Sequence, residues 1–249
     1  MKRECPYCGE KLKSKDLSKH VAEVHKFICY DDCVRCCANK TVPISLTIGD
    51  LVRISRHLGT SISELFGGYC DIDGTELPIF SNIFPVIGLK TPCRFLKDGK
   101  CSIYDYRPLY CRLFPEDLIV NPLHDKELEM YKGVGYKCID IGFKLDERHR
   151  KMIEGLSATM EEEMDTTCEY FRFDKYPAQF LDEDRERLES LYEEAKDAKE
   201  REEIKIRRTE MAREKVKEKV GTDFSEKIKE LDREGDLAKY DRLEHMSAS

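Results

Sequence analysis

Four thiols crowd into nine residues at Cys29-x3-Cys33-x2-Cys36-Cys37, and four more follow at Cys93, Cys101, Cys111 and Cys138. Deprotonated, such groups are soft ligands that hold zinc or build iron–sulfur clusters, and spacing alone does not choose between the two. Adjacent side chains at Cys36 and Cys37 point in different directions, so the two need not serve one ion. Two halves of four thiolates each could make two all-thiolate zinc sites, or one iron–sulfur cluster with ligands to spare. Arg94, Arg107 and Arg112 lie among the downstream cysteines, where a guanidinium can offset thiolate charge and donate hydrogen bonds to sulfur. The plainer expectation for each is a surface salt bridge of small energetic weight.

A second donor set precedes this one. Cys5-Pro-Tyr-Cys8 is followed by eleven residues, then His20, four more, and His25. Two thiolates on a knuckle and two imidazoles about one helical turn apart can close a tetrahedron around zinc. Leu12 and Leu17 stand where so small a unit needs its core residues, and metal binding would supply its folding free energy. The stretch resembles a C2H2 zinc finger. In that resemblance Lys13, Asp16 and Lys19 would face bases, but one finger reads only about three base pairs. A structural or protein-docking role is therefore the expectation.

Composition narrows the setting. Of twelve cysteines, eleven fall between Cys5 and Cys138 in tight groups, which free buried thiols do not explain. A disulfide framework suits short secreted chains, and the opening residues carry no apolar signal-peptide core, so a cytoplasmic location is expected. No run approaches the ~20 apolar residues of a membrane span. With 43 basic and 50 acidic residues the net charge is −7, which argues against a generally basic nucleic-acid or membrane binder.

The elements that must position these donors can be read in part. Three regions are expected: a finger at 1–26, a cysteine-cluster domain at 27–174 and a charged helical tail at 175–249. Thr47-Ile-Gly-Asp50 has the form of a capping box, with Leu51, Ile54 and Leu58 at helical spacing and Gly59 as the stop. Ser61-Ile-Ser-Glu64 repeats the signal for a shorter helix ending at Gly67-Gly68. Ile79 to Leu89 is apolar, with Pro85 and Gly88 limiting any strand, and Asp98-Gly99 turns a hairpin within Phe95–Tyr104. Leu118-Ile-Val120 reads as another strand. From Asp146 to Cys168 helical periodicity returns, with Met152, Leu156, Met160 and Met164 on one face. The tail lacks glycine until Gly221 and predicts a long helix, with Leu188, Leu191, Ala195 and Ala198 as a short apolar stripe. Asp223 and Asp236 would start two further helices. That tail is expected to be a solvated, salt-bridge-rich helix, or a coiled-coil segment that docks a protein partner. Together these predict a helix-rich α+β fold, small and stapled by metal.

Cys29-Tyr-Asp-Asp-Cys33-Val-Arg-Cys36-Cys37, the Leu46–Leu51 helix start, Cys93–Tyr104, Arg107-Pro108 and Cys111-Arg-Leu-Phe-Pro115 together resemble the YkgJ-type cysteine-cluster family. The likeness runs from about Phe27 to Gly142 and implies chelation of zinc or iron. Cys138 sits in a looser glycine pattern than the family's and is the least secure ligand. Flagellin lysine methylases look like relatives, so the resemblance allows a cluster-dependent protein-modifying enzyme in which the cluster is redox-active or positions S-adenosylmethionine, with Arg107 and Arg112 as candidate anion contacts. Cys29-x3-Cys33-x2-Cys36 also has radical S-adenosylmethionine spacing. Arg35, at a position usually aromatic, and the lack of a strand–helix barrel pattern speak against that chemistry. A nucleic-acid-associated module using the finger and the Lys/Arg-rich helix is the third alternative and is not favoured. Cys70 and Cys168 read as ordinary thiols, and His57, His124 and His149 as scattered surface or helix residues.

Overall fold

The computed structural model of the chain describes residues 2–4, 11–13, 34–38, 40, 44–77, 82–120 and 147–243. In chain order these form β1 (Lys2–Glu4), β2 (Lys11–Lys13), α1 (Arg35–Ala38), β3 (Ser45–Leu46), α2 (Ile48–Leu58) and α3 (Ile62–Tyr69). Next come β4 (Cys70–Leu77), β5 (Asn82–Leu89), β6 (Leu96–Lys97), β7 (Lys100–Cys101), α4 (Leu109–Leu113) and α5 (Glu116–Val120). The remainder is α6 (Glu147–Phe171), β8 (Ala178–Gln179), α7 (Asp182–Glu194), α8 (Ala198–Val220) and α9 (Asp223–Arg233). The fold is helix-rich α+β. Among the described residues no helix is long and apolar enough to cross a membrane.

Helix α2 starts as its sequence dictates. The Thr47 side chain accepts the Asp50 amide, the Asp50 carboxylate accepts the Thr47 amide, and Gly59 ends the helix at φ 64. A left-handed residue there costs glycine nothing, whereas a Cβ would be strained. Ser61 and Glu64 form the same box for α3, which runs on through Gly67 and Gly68 to Tyr69. From across the fold, the Asp232 carboxylate of α9 accepts the amides of Ile62 and Ser63 at 2.7 and 3.1 Å. The free N–H groups of the α3 N-terminus are thus satisfied by both local and distant partners.

β5 is the centre of the main antiparallel sheet, paired with β4 along its whole length and with β3 and β8 on its other edge. The proline expected to limit this strand stands inside it, opposite Gly74. Leu89 donates its amide to Ile44 on the β3 side, so the two-residue period turns the Pro85 nitrogen to that same side. There β3 pairs only with Ile87 and Gly88, and β8 only with Asn82 and Ile83. Pro85 falls in the gap between them, where a missing N–H breaks no ladder bond. The hairpin at Asp98-Gly99 forms as expected, both residues at positive φ between β6 and β7.

Three expectations are corrected. Leu118–Val120 is helical within α5, not a strand, because Glu116 and Asp117 follow Pro115 and place two acids in a first turn. The single tail helix is two helices, α7 and α8. Asp197 interrupts them and accepts the amides of Lys199 and Glu200 at 2.8 and 2.9 Å, a local cap that outcompetes helix continuation. Asp236 precedes only the 3-10 turn Ala238–Tyr240, not a further helix. On α6 the buried face is Ile153, Thr159, Glu163 and Thr167, whereas Met152 is 45% exposed. That inward face is polar because of what it meets, as described below.

The hydrophobic core is one cluster drawing on both the segment 44–103 and the segment 171–240. Helix α8 lies on β4 and β5 and buries Ala212, Val216 and Val220, while Arg213 and Lys217 pair with Asp73 and Asp71 of β4 at 2.8 and 2.6 Å. Phe224 of α9 is fully buried against Phe66, Phe171 and Phe173, with ring centroids 5.2, 4.5 and 6.0 Å away. The charged C-terminal segment therefore supplies a wall of the core, and its charges occupy the outer faces.

Candidate metal centre

Five of the cysteines singled out by spacing lie among the described residues, and they come from three separate pieces of chain. Cys36 and Cys37 sit on α1, Cys93 and Cys101 flank the β6–β7 hairpin, and Cys111 is on α4. The pieces are joined directly: the Cys93 amide donates to the Cys37 carbonyl at 2.6 Å. Among the described residues none of the five is in a disulfide, and all are half-buried or buried. Cys5, Cys8, His20, His25, Cys29, Cys33 and Cys138 fall outside the described residues.

The thiols sense one another. Cys37 shares a hydrogen bond with Cys93, and this bond, burial, and the neighbouring Cys111 and Cys101 push its proton affinity well up. Cys93 moves the opposite way, to about 7, because its sulfur accepts that bond from Cys37 and further bonds from the amides of Phe95 and Leu96. Burial opposes the shift and is outweighed. Hydrogen bonds to sulfur favour the thiolate, the form that binds metal. Burial raises Cys111 well above the ordinary thiol range, helped by Cys93 and Cys36, while Arg107 pulls it down. Among the described residues no three Cys, His, Asp or Glu side chains make a metal cage by themselves. The donor chemistry fits zinc or an iron–sulfur cluster, with thiols converging on one neighbourhood and amides aimed at sulfur.

The three arginines brace the surrounding loop through backbone carbonyls. Arg94 donates to Gly68 O at 2.6 Å, Arg107 to Tyr104 O at 3.0 Å, and Arg112 to the carbonyls of Arg107 and Asp105 at 2.8 and 2.5 Å. Arg107 also stacks on the Tyr104 ring at 3.9 Å. Cys70 is a core residue whose thiol is raised to about 12 by burial, and Cys168 lies half-buried on α6.

Behind the thiols lies a group that sequence reasoning missed. Arg53 is buried and makes four hydrogen bonds: to Glu163 at 2.7 and 2.9 Å, to Asp241 at 2.8 Å and to Asp50 at 2.6 Å. The Thr47 hydroxyl donates to Glu163 at 2.5 Å, and the Arg242 amide to the same carboxylate at 3.0 Å. Asp50 then reaches the cysteines, accepting the Leu109 amide at 3.0 Å at the first turn of the helix that carries Cys111. Gly49 is required here, since a Cβ would stand 2.5 Å from the Tyr240 carbonyl and collide with the Glu163 carboxylate. Asp50 is three positions from Arg53, but its other partners, Glu163 and Asp241, lie 110 and 188 positions away, so no local spacing could have announced them.

Two comparisons with known proteins, one with curated sequences and one with solved structures, give no match. A third finds a family. Residues 28–139, just under half of the chain, match the CxxCxxCC family, whose description is "Putative zinc- or iron-chelating domain".

Proposed function

We propose that the domain chelates zinc or an iron–sulfur cluster through Cys29, Cys33, Cys36 and Cys37 from one side and Cys93, Cys101, Cys111 and Cys138 from the other. The observation that carries this reading is the convergence of Cys36, Cys37, Cys93, Cys101 and Cys111 from three chain segments, with backbone amides turned toward the Cys93 sulfur. Bound metal would crosslink α1, the β6–β7 hairpin and α4, adding its binding free energy to the stability of the fold. The N-terminal segment would hold one further zinc through Cys5, Cys8, His20 and His25. In support, β1 and β2 pair antiparallel, with Glu4 opposite Lys11. The thiols imply a reducing, cytoplasmic setting, and the exposed faces of α7 and α8 suit a protein partner.

Metal analysis of anaerobically purified protein, together with its visible spectrum, tests the reading. Iron with acid-labile sulfide identifies a cluster, and about three zinc ions in a colourless protein identify three four-ligand sites. Cys93→Ser should lose metal while Cys70→Ser retains it. A protein that purifies without zinc or iron and gains neither on anaerobic reconstitution refutes the proposal.

A further inference from the structure

Between α2 and Arg112, which follows Cys111 in the chain, lies a cavity of about 400 Å³ whose walls include Arg53, Arg56, His57, Tyr106, Arg112 and Asp241. We propose that it binds a small organic monocarboxylate. The assignment requires no bound metal and stands apart from the chelation reading.

The charge argument turns on Arg112. Arg53 is consumed by three carboxylates, and Asp241 is shared between Arg53 and Arg56, at 2.8 and 3.7 Å. Arg112 meets only the neutral carbonyls of Arg107 and Asp105, and among the described residues it has no carboxylate at ion-pair distance. A guanidinium carries five N–H donors, so these two bonds leave donors over. A half-buried cation paired with nothing but carbonyls on a cavity wall is a ready anion partner, and charge-assisted bonds are the strong ones. One uncommitted cation suits one negative charge. The carboxylates of Asp105 and Asp241 also line the cavity and would repel a second.

The remaining wall favours an organic body. His57 and Tyr106 stack with centroids 3.9 Å apart and planes 17° from parallel, and Tyr106 is 42% exposed, beside Leu243. A flat, partly apolar surface next to a cation without a carboxylate partner among the described residues is the pattern of a small-molecule site, and the volume falls in the usual range of about 300–1,000 Å³.

Calorimetric titration of the full chain with benzoate, acetate and inorganic phosphate tests this. Benzoate should bind saturably at one site, more tightly than acetate, with phosphate weakest. Arg112→Gln should weaken benzoate about tenfold or more. Because Arg112 also braces the loop beside Cys111, two variants of exposed side chains accompany it, with circular dichroism as the check on folding. Tyr106→Ala should weaken benzoate but not acetate, and Arg56→Gln, which lowers the positive potential of the same wall, should weaken both, while Arg94→Gln, outside the cavity, changes neither. The proposal is overturned if benzoate fails to saturate, if folded Arg56→Gln and Tyr106→Ala bind it like the parent, or if phosphate displaces it. Metal content measured on the same samples reports separately on the chelation reading.

Discussion

Replacing Arg53 by methionine removes the one cation that holds three buried carboxylates together. The side chains of Asp50, Glu163 and Asp241 are only 1–2% exposed, and all four hydrogen bonds from Arg53 are 2.6–2.9 Å long. Methionine fills much of the volume, so the cost is chiefly that of charges left unpaired. Asp50 keeps the amides of Thr47 and Leu109, and Glu163 keeps the Thr47 hydroxyl and the Arg242 amide. Asp241 is left with Arg56 at 3.7 Å. Breaking a buried pair by removing one partner costs about 3–5 kcal/mol, a large part of the roughly 5–15 kcal/mol that holds a domain folded. Urea unfolding at neutral pH, followed by circular dichroism, should show that loss in Arg53→Met with little change in slope. Adding Glu163→Leu should restore at least about 1 kcal/mol, because the second change removes a charge that the first orphaned. Asp50 also caps the helix bearing Cys111, so Arg53→Met should weaken metal binding about tenfold. A stability loss below about 1 kcal/mol would mean that the four groups behave like an exposed pair, and would refute the buried hub.

Gly49→Ala drives a methyl group into the same hub and should cost about 2 kcal/mol or more in the same assay, since neither the Tyr240 carbonyl nor the tethered Glu163 can retreat cheaply. Asp232→Ala removes the distant cap on α3 and should cost about 1 kcal/mol, with faster amide exchange at Ile62 and Ser63. The Cys70 thiol titrates near 12 in the fold, so above pH ~9 the unfolded chain ionises it and the folded chain does not. Its stabilising contribution is full below pH ~9 and declines by about 1.4 kcal/mol per unit as pH rises toward 12. Cys70→Ala should therefore lose stability less steeply than the parent between pH 9 and 10, and parallel curves would contradict the assignment.

The helix starts at Thr47 and Ser61, the stop at Gly59 and the turn at Asp98-Gly99 were legible because each depends on residues within four positions of one another. The cysteines were legible as a chemical set because thiols are rare and were grouped. Pro85 misled because its cost depends on whether a strand lies beside its nitrogen, which only the sheet order reveals. The helical periodicity of α6 was legible too, but not that its most deeply buried face would carry Thr159, Glu163 and Thr167. A glutamate reads as an outward residue until an arginine from another helix is there to neutralise it.

By itself, then, the amino-acid sequence determined the local punctuation, the grouping of the cysteines and the match of residues 28–139 to a chelating-domain family. Only the tertiary structure decided that α8 and α9 complete the core, that Asp50 links the Arg53 hub to the Cys111 helix, and that Arg112 lines a cavity with no carboxylate at ion-pair distance among the described residues. Capping and turn preferences act over a few residues and survive in any context, whereas the burial and pairing of a charge depend on groups more than a hundred residues away.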